Sequence, residues 1–236
     1  MNERQSKLLT AIIDQFIETA LPVGSRKLLE SGEFVCSSAT IRSEMGFLED
    51  EGFLSQTHIS SGRVPTAMGY RVYVREFMKP GAREKTVRKR FDSLKEQYFR
   101  RKDQERVYEA VALISRMIPN IAFASVPHKH RIFYMGLANA LKQPEFQNNP
   151  AMASGVAELL EEKLSDFLEN IETDEKIRYC IGDEDILSTS QSCSMMVSAY
   201  SVRGYRGVIG ILGPMRMDYA YNTVALDLIG ELLRSY

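Results

Sequence analysis

The segment 37–45 constrains the fold most, because it predicts a short helix whose start is small, polar and rich in hydroxyl groups. Its sequence is Ser-Ser-Ala-Thr-Ile-Arg-Ser-Glu-Met, and apolar residues from Ile41 onwards recur at the spacing of one buried helical stripe. The nearby segment 60–65, Ser-Ser-Gly-Arg-Val-Pro, predicts a tight turn that carries a cation. A polar helix followed by a basic turn is typical of a winged helix-turn-helix, which places one helix in the DNA major groove.

The segments around this predicted recognition helix fit the same type of domain. Apolar residues at helical spacing predict a first helix over Glu3–Thr19. Ser25 is a candidate N-cap for a short second helix, and Thr66 for a helix that follows the wing. The proline and glycine in 79–82 predict a domain boundary. We therefore expect a DNA-binding domain over residues 1–79.

The net charge of the chain limits how it could bind DNA. Its 236 residues carry 30 Lys and Arg against 31 Asp and Glu, a formal net charge of −1. This balance argues against a strongly basic protein that binds nucleic acid without sequence preference. Any affinity for DNA must come from segregated charges, with Glu49, Asp50 and Glu51 at the far end of the predicted recognition helix and cations such as Arg42 elsewhere.

Cysteine usage and hydropathy both indicate a cytoplasmic protein. The three cysteines are odd in number and widely spaced, which argues against a disulfide framework and fits a reducing compartment. No apolar run is long enough to span a bilayer. The first five residues are charged and polar, unlike a signal peptide. We therefore expect a cytoplasmic protein without a membrane partner.

A long polar helix is expected to link the two halves of the chain over residues 80–118. Its first part carries apolar residues at intervals of four, three and four, namely Val87, Phe91, Leu94 and Tyr98. A second stripe, Val107, Val111, Ile114 and Ile118, is out of phase with the first, so the seam is interrupted. This pattern favours two short contacts over one continuous zipper and predicts part of a dimer interface along the first stripe. Residues 83–106 carry ten basic and five acidic side chains. The basic excess has two interpretations, a solvated face or additional contact with DNA phosphates.

The remainder of the chain, 119–236, mixes predicted strands and helices. Strands are expected at 121–126, 176–181, 193–201 and 207–212, and helices at 132–141, 156–171 and 219–233. This order predicts a domain with an antiparallel sheet. The predicted fold class of the whole chain is α+β, with an N-terminal winged helix-turn-helix, a long linking helix and a C-terminal α+β domain.

Blocks of residues along most of the chain resemble the family of the heat-inducible transcription repressor HrcA. In the first part they are Asn2-Glu3-Arg4-Gln5, Pro22-Val23-Gly24-Ser25-Arg26, Ala39-Thr40-Ile41-Arg42, His58 with Ser60 and Gly62-Arg63, Pro65-Thr66 and Gly69-Tyr70-Arg71. In the second part they include Gly136-Leu137-Ala138-Asn139, Lys142-Gln143-Pro144-Glu145-Phe146 and Gly210-Ile211-Leu212-Gly213-Pro214. One block alone is weak, but their ordered series makes the resemblance strong.

The resemblance implies a dimeric bacterial repressor of chaperone operons. Its family binds double-stranded DNA at an inverted repeat, the CIRCE element, and its activity is supported by a GroEL-type chaperonin. The implied architecture is a winged helix and a GAF-like domain into which a dimerising domain is inserted. This chain is shorter than usual members, and the difference falls between Val126 and Ile132. We therefore expect a reduced GAF-like domain over 119–236 and an altered dimer interface.

The candidate DNA contacts lie on the recognition helix, the helix before it and the wing. They are Ser25, Arg26, Ser38, Thr40, Arg42, Ser43, His58, Ser60, Gly62 and Arg63. Arg42 can donate two hydrogen bonds to a guanine edge. Arg63 can reach a phosphate or the minor groove, while Ser25 and Arg26 can anchor the DNA backbone.

Other functions have less support in the sequence. It contains no phosphate-binding loop, nucleophile elbow or zinc-ligand helix, so we expect neither an enzyme nor a cofactor. His128 and His130 lack a further ligand at a standard spacing, so no metal is expected. The competing function is a metabolite-sensing or protein-binding module whose winged helix contacts protein. The polar exposed face of the predicted recognition helix favours DNA.

Overall fold

The computed structural model describes residues 1–56, 62–98, 106–126, 131–171, 173, 176–182, 192–202 and 205–234. The chain divides into two compact units, of which unit 1 is Met1–Met78 and unit 2 is Lys79–Tyr236. Each unit buries its own set of apolar side chains, as expected of parts that form around separate cores.

The described part of unit 1 contains helices and one small antiparallel sheet. In chain order its elements are α1 (Glu3–Thr19), α2 (Ser25–Glu30), α3 (Ser38–Asp50), β1 (Leu54–Ser55), β2 (Val64–Pro65) and α4 (Ala67–Val72), which continues as a π-helical turn (Tyr73–Phe77). The helix expected over Glu3–Thr19 is confirmed. Thr66 is confirmed as the N-cap of α4, because its hydroxyl accepts the N–H of Gly69 at 3.1 Å.

The core of unit 1 forms where α1 packs against α3 and β2. The buried apolar residues of these two helices are Leu8, Leu9, Ile12, Ile13, Ile41, Met45 and Leu48. The hydroxyl of Tyr73 donates a 2.9 Å hydrogen bond to the carboxylate of Asp14, which ties the end of the unit to α1. Since the apolar stripe of α3 is used in this core, the opposite polar face of α3 remains at the surface.

Unit 2 is built on an antiparallel sheet with the strand order β4-β3-β7-β6-β5 in the described residues. Its elements are α5 (Gly81–Tyr98), α6 (Arg106–Met117), β3 (Ile121–Val126), β4 (Arg131–Met135), α7 (Leu137–Ala140), α8 (Pro144–Gln147), α9 (Pro150–Glu158), a π-helical turn (Leu159–Lys163), α10 (Leu164–Asn170), β5 (Arg178–Ile181), β6 (Cys193–Val202), β7 (Tyr205–Pro214) and α11 (Tyr219–Arg234). The expected α+β class with an antiparallel sheet is confirmed.

Alternate residues of the sheet pack against different groups of helices. Ile121 and Phe123 belong to an apolar cluster that also contains residues of α8, α9 and α10. Ala122 and Ala124 are equally buried but point to the other face of the strand, because side chains alternate along β3. α6 and α11 contact the sheet at β3 and β6, and both helices also contact α5.

The helix expected over 132–141 is wrong in its first half. Residues Arg131–Met135 form β4, and a helix begins only at Leu137. β4 pairs antiparallel with β3, with Phe133 opposite Ala124. A short apolar run fits a helix or a strand by its pattern alone, and here pairing with β3 decides for the strand.

The single long helix expected over 80–118 is also wrong, because α5 and α6 pack against each other. The guanidinium of Arg90 donates to the carbonyl oxygen of Arg116 at 2.7 Å. In one continuous helix these residues would lie about 39 Å apart along the axis. The two helices therefore fold back on one another within unit 2.

The apolar residues of α5 that predict a dimer seam pack inside unit 2 instead. Val87 is 0% exposed and Phe91 is 4% exposed, and their helix packs against α6 and α11. The side chain of Tyr98 lies outside the described residues. Because Val87 and Phe91 already complete the core of their own unit, they are not available to a second copy of the chain.

Candidate nucleic-acid interface

α3 exposes two of the predicted contacts, Arg42 and Ser43, and places its stripe Ile41, Met45 and Leu48 in the core, while Phe47 is 40% exposed. Arg42 and Ser43 are exposed, while Ile41 between Thr40 and Arg42 is buried. This segregation follows from the helical period, which places residues one position apart about 100° apart around the axis. The exposed side offers a guanidinium and a hydroxyl, which both can donate hydrogen bonds to nucleic acid.

The start of α3 is held by Ser37, the residue directly before the helix. Its hydroxyl accepts the N–H of Thr40 at 3.1 Å and lies 2.9 Å from the Thr40 hydroxyl. Ser37 is therefore the N-cap, satisfying one of the backbone N–H groups that the helix leaves unpaired. The hydroxyl of Thr40, a predicted DNA contact, is engaged at the helix start in this structure.

Ser25 joins α2 to α3 through its hydroxyl group. Its Oγ lies 3.1 Å from Oγ of Ser38 and accepts a hydrogen bond from Nε of Arg42 at 3.3 Å. Ser25 is only 7% exposed. The expected capping role of Ser25 is wrong, because Gly24 is the N-cap of α2. This geometry favours a role in orienting Arg42 over direct contact with a DNA phosphate.

Arg26, the next residue of α2, has a different environment. Its side chain is exposed and forms no hydrogen bond or ion pair with the residues that the structure describes. It lies in the first turn of α2, directly after Ser25, whose hydroxyl accepts a hydrogen bond from Arg42. A solvated guanidinium in this position can bind a phosphate without first losing an internal partner.

The residues directly before β2 are tied to the chain segment before α2. Val23 and Arg63 exchange two backbone hydrogen bonds of 2.9 Å each. A side chain at Gly62 would place its Cβ 2.5 Å from the carbonyl group of Val23, which is too close for any residue with a side chain. Gly62 therefore serves a close backbone approach between this segment and Val23.

The side chain of Arg63 turns toward the end of α3. Its Nε lies 2.8 Å from a carboxylate oxygen of Glu49, and the side chains are 19% and 31% exposed. The contact is an ion pair whose N–H is not aligned for a regular hydrogen bond. This partner of Arg63 was not expected from the sequence, where Glu49 was grouped with the acidic residues at the end of the helix.

Arg42 and Arg63 lie along the same flank of α3. Glu49, which holds Arg63, comes seven residues after Arg42, and seven residues turn an α-helix through nearly two full turns. The side chains of residues 42 and 49 therefore point in nearly the same direction, about 10 Å apart along the axis. The two guanidinium groups thus belong to one side of unit 1.

Two candidate contacts, His58 and Ser60, lie outside the described residues, as do His128 and His130. Within the described ranges, no group of three or more His, Cys, Asp or Glu side chains is placed to hold a metal ion. In the same part of the chain, no helix combines the length and the apolar character needed to cross a membrane.

Comparison with known proteins identifies relatives along almost the whole chain. Residues 72–222 match the family model described as the HrcA protein C terminal domain. The heat-inducible transcription repressor HrcA of Desulforamulus reducens is 27% identical, and the match covers 99% of this chain and 96% of the relative. The repressor of the same name from Oceanobacillus iheyensis is 55% identical over 80 residues, which are 34% of this chain and 23% of that protein.

The match to the Desulforamulus protein also bears on the length of this chain. It extends over 334 positions, whereas the chain has 236 residues. The relative therefore contains residues without a counterpart here, which agrees with the expectation that this chain is a shortened member.

A solved structure supports the fold. The crystal structure of a hypothetical protein at 2.2 Å resolution superimposes with a TM-score of 0.80 at 18% sequence identity, covering 100% of this chain and 97% of that chain. At this level of identity the likeness shows the fold alone. Because the family model covers more than half of the residues, the chain belongs to the HrcA family, whose relatives compared above are named heat-inducible transcription repressors.

Proposed function

We propose that the protein represses heat-shock and chaperone operons by binding an inverted-repeat operator of the CIRCE type. Residues 1–79 would be a winged helix-turn-helix domain in which α3 is the recognition helix and the β1–β2 hairpin is the wing. The observation that carries this proposal is the placement of Arg42 and the Glu49–Arg63 pair on one flank of α3. Family membership supports it independently.

Each cation has a separate role in the proposed complex. Arg42, on the exposed side of α3, donates to a guanine edge and selects the sequence. Arg26 and Arg63 bind phosphates and touch no bases; they fix the position of α3 on the duplex, so they influence base selection only through the placement of Arg42. Ser38, Thr40 and Ser43 add contacts at the start of α3, and Ser25 orients Arg42.

The proposal includes a homodimer, because an inverted repeat is read by two copies of a protein related by a two-fold axis. Residues 119–236 would be a reduced GAF-like regulatory domain, to which α5 and α6 of the 80–118 segment add helices. A GroEL-type chaperonin is the proposed regulator, and the cytoplasm is the compartment in which operator and chaperonin are both available.

Selection of binding sites from random duplex DNA tests the proposal directly. We expect purified protein to enrich an inverted repeat, and we expect chaperonin to increase the amount of bound duplex. Light scattering of the protein on the selected duplex would show two copies. Selection that enriches no sequence, with a monomer in solution and on DNA, would instead support the protein-binding or metabolite-sensing module.

The role of chaperonin is tested separately from DNA binding. The selected duplex is titrated with protein that has been aged to lose activity, with and without chaperonin. Recovery of binding only when chaperonin is present supports regulation through the pool of active repressor. Equal binding in both samples would leave DNA recognition in place and remove chaperonin from the proposal.

A further inference from the structure

We propose that Glu49 is a positioning residue for DNA recognition, which holds the Arg63 guanidinium on the flank of α3 that carries Arg42. In this role it fixes the distance between the group that selects bases and the group that binds a phosphate. The inference rests on the proposed DNA-binding function and identifies a residue on which operator preference depends.

The contacts of Arg63 restrain both its backbone and its side chain. The backbone is paired in both directions with Val23 at 2.9 Å, and Gly62 allows this close approach. The side chain then meets Glu49 through Nε at 2.8 Å. An unpaired arginine would sample many rotamers at a cost in entropy when it binds. The Glu49 carboxylate removes much of that freedom before any DNA arrives.

The ion pair with Glu49 engages the Arg63 guanidinium at one of its three nitrogens. An arginine has five N–H donors, of which only one is on Nε. Glu49 approaches that nitrogen, which is itself buried. A phosphate would be bound through the N–H groups of the two terminal nitrogens, on a side chain that is 19% exposed in this structure. Glu49 can therefore orient Arg63 without replacing the phosphate as its partner.

α3 fixes the spacing between Arg42 and the Glu49–Arg63 ion pair. Ile41, Met45 and Leu48 anchor the helix in the core, so the segment between Arg42 and Glu49 is held as one rigid element. Two helical turns separate the residues by about 10 Å. The positions of Arg42 and Arg63 relative to the duplex are then set by the helix and its ion pair.

The negative charge of Glu49, acting alone, would have the opposite effect on DNA binding. A carboxylate close to DNA repels phosphates, so its removal should strengthen binding to every sequence alike. If Glu49 positions Arg63, its removal instead weakens binding to the operator relative to unrelated DNA. The sign of the change in the ratio of the two affinities separates these possibilities.

The test uses Glu49→Gln, which keeps the size of the side chain and removes its charge. Affinities for the selected operator and for an unrelated duplex are measured at one salt concentration. We expect the operator preference to fall about tenfold, within the range found for coupled neighbouring residues. Glu51→Gln is the matched control, since Glu51 follows the same helix as its C-cap and should leave the preference unchanged.

A double-mutant cycle shows whether Glu49 acts through Arg63. In an Arg63→Gln background, Glu49→Gln should cause no further loss of operator preference. Thermal unfolding of each variant verifies that it is folded under the conditions in which its DNA affinity is measured. If the Glu49→Gln protein prefers the operator as strongly as the wild type does, or more strongly, Glu49 does not position Arg63. The DNA-binding function would still stand. A wild type without operator preference would overturn both.

Discussion

α3 of unit 1 and α5 of unit 2 are both helices for which the sequence predicts a partner outside the chain, and the structure uses them differently. α3 leaves Arg42 and Ser43 exposed, whereas α5 buries Val87 and Phe91 in its own unit. An apolar stripe predicts that a face is covered but does not say by what. Exposed polar side chains oriented by internal hydrogen bonds are the better indication of an external partner.

The largest expected effect comes from Phe91→Ala, which tests the internal role of α5. Removing a buried phenylalanine ring from a core costs about 3–5 kcal/mol, and Phe91 packs in the layer formed with α6 and α11. We expect the free energy of unfolding of unit 2 to fall by this amount in urea denaturation, at low and high protein concentration alike.

Arg88→Ala is the control on the exposed side of α5. Its ion pair with Glu84 is a surface contact, so we expect a change in the free energy of unfolding within about 0.5 kcal/mol. The opposite result is a Phe91→Ala protein that is as stable as the wild type but sediments as a monomer where the wild type is a dimer. Phe91 would then belong to a dimer interface, and α3 and α5 would no longer differ.

Sequence reasoning succeeds where the signal is local. Helical periodicity and capping residues predict α1 and α4, and the long apolar strands β6 and β7 are placed correctly apart from their ends. Each of these features depends on residues close together in the chain. The same local reasoning assigns Ser25 as a cap, where the structure uses its hydroxyl to join two helices.

It fails where contacts between distant segments decide. The phase break between the two apolar stripes of 80–118 indicates an interrupted seam but does not indicate that the chain turns back, yet Arg90 and Arg116 meet. Glu49 and Arg63 are fourteen positions apart in the sequence, and their ion pair depends on how β2 is placed against α3. The seven-residue spacing of Arg42 and Glu49 is the one sequence signal that could have placed Glu49 on the recognition flank.

Arg42→Ala tests the external role of α3 and should have the next largest effect. A paired contact from arginine to guanine contributes about 1–3 kcal/mol of discrimination between bases. We expect operator preference to fall by about tenfold to a hundredfold while the free energy of unfolding stays close to that of the wild type, because the side chain is exposed. Gel-shift titrations at fixed salt with operator and unrelated duplex measure the change.

Arg75→Ala is the matched control for the loss of one exposed arginine. Arg75 lies in the π-helical turn after α4 and pairs with Glu76. Its removal should leave the ratio of operator to unrelated affinity unchanged. Equal ratios for Arg42→Ala and the wild type would show that α3 does not select bases, and α3 would then resemble α5 in having no partner outside its unit.

Ser25→Ala should have the smallest effect and tests whether orientation by internal hydrogen bonds matters. The Ser25 hydroxyl contacts both Arg42 and Ser38, and a typical hydrogen bond contributes about 0.5–1.5 kcal/mol. Without it Arg42 samples more conformations, so we expect operator preference to fall by a few-fold, less than in Arg42→Ala. Ser31→Ala is the control, because the Ser31 hydroxyl donates a hydrogen bond to the carbonyl of Leu28 at the other end of α2.

The Ser25→Ala and Ser31→Ala proteins should lose similar free energy of unfolding. If both then show the same operator preference, the hydroxyl of Ser25 only holds the helices together. A further loss of preference on adding Ser25→Ala to Arg42→Ala would likewise show that Ser25 acts on DNA by a route other than Arg42.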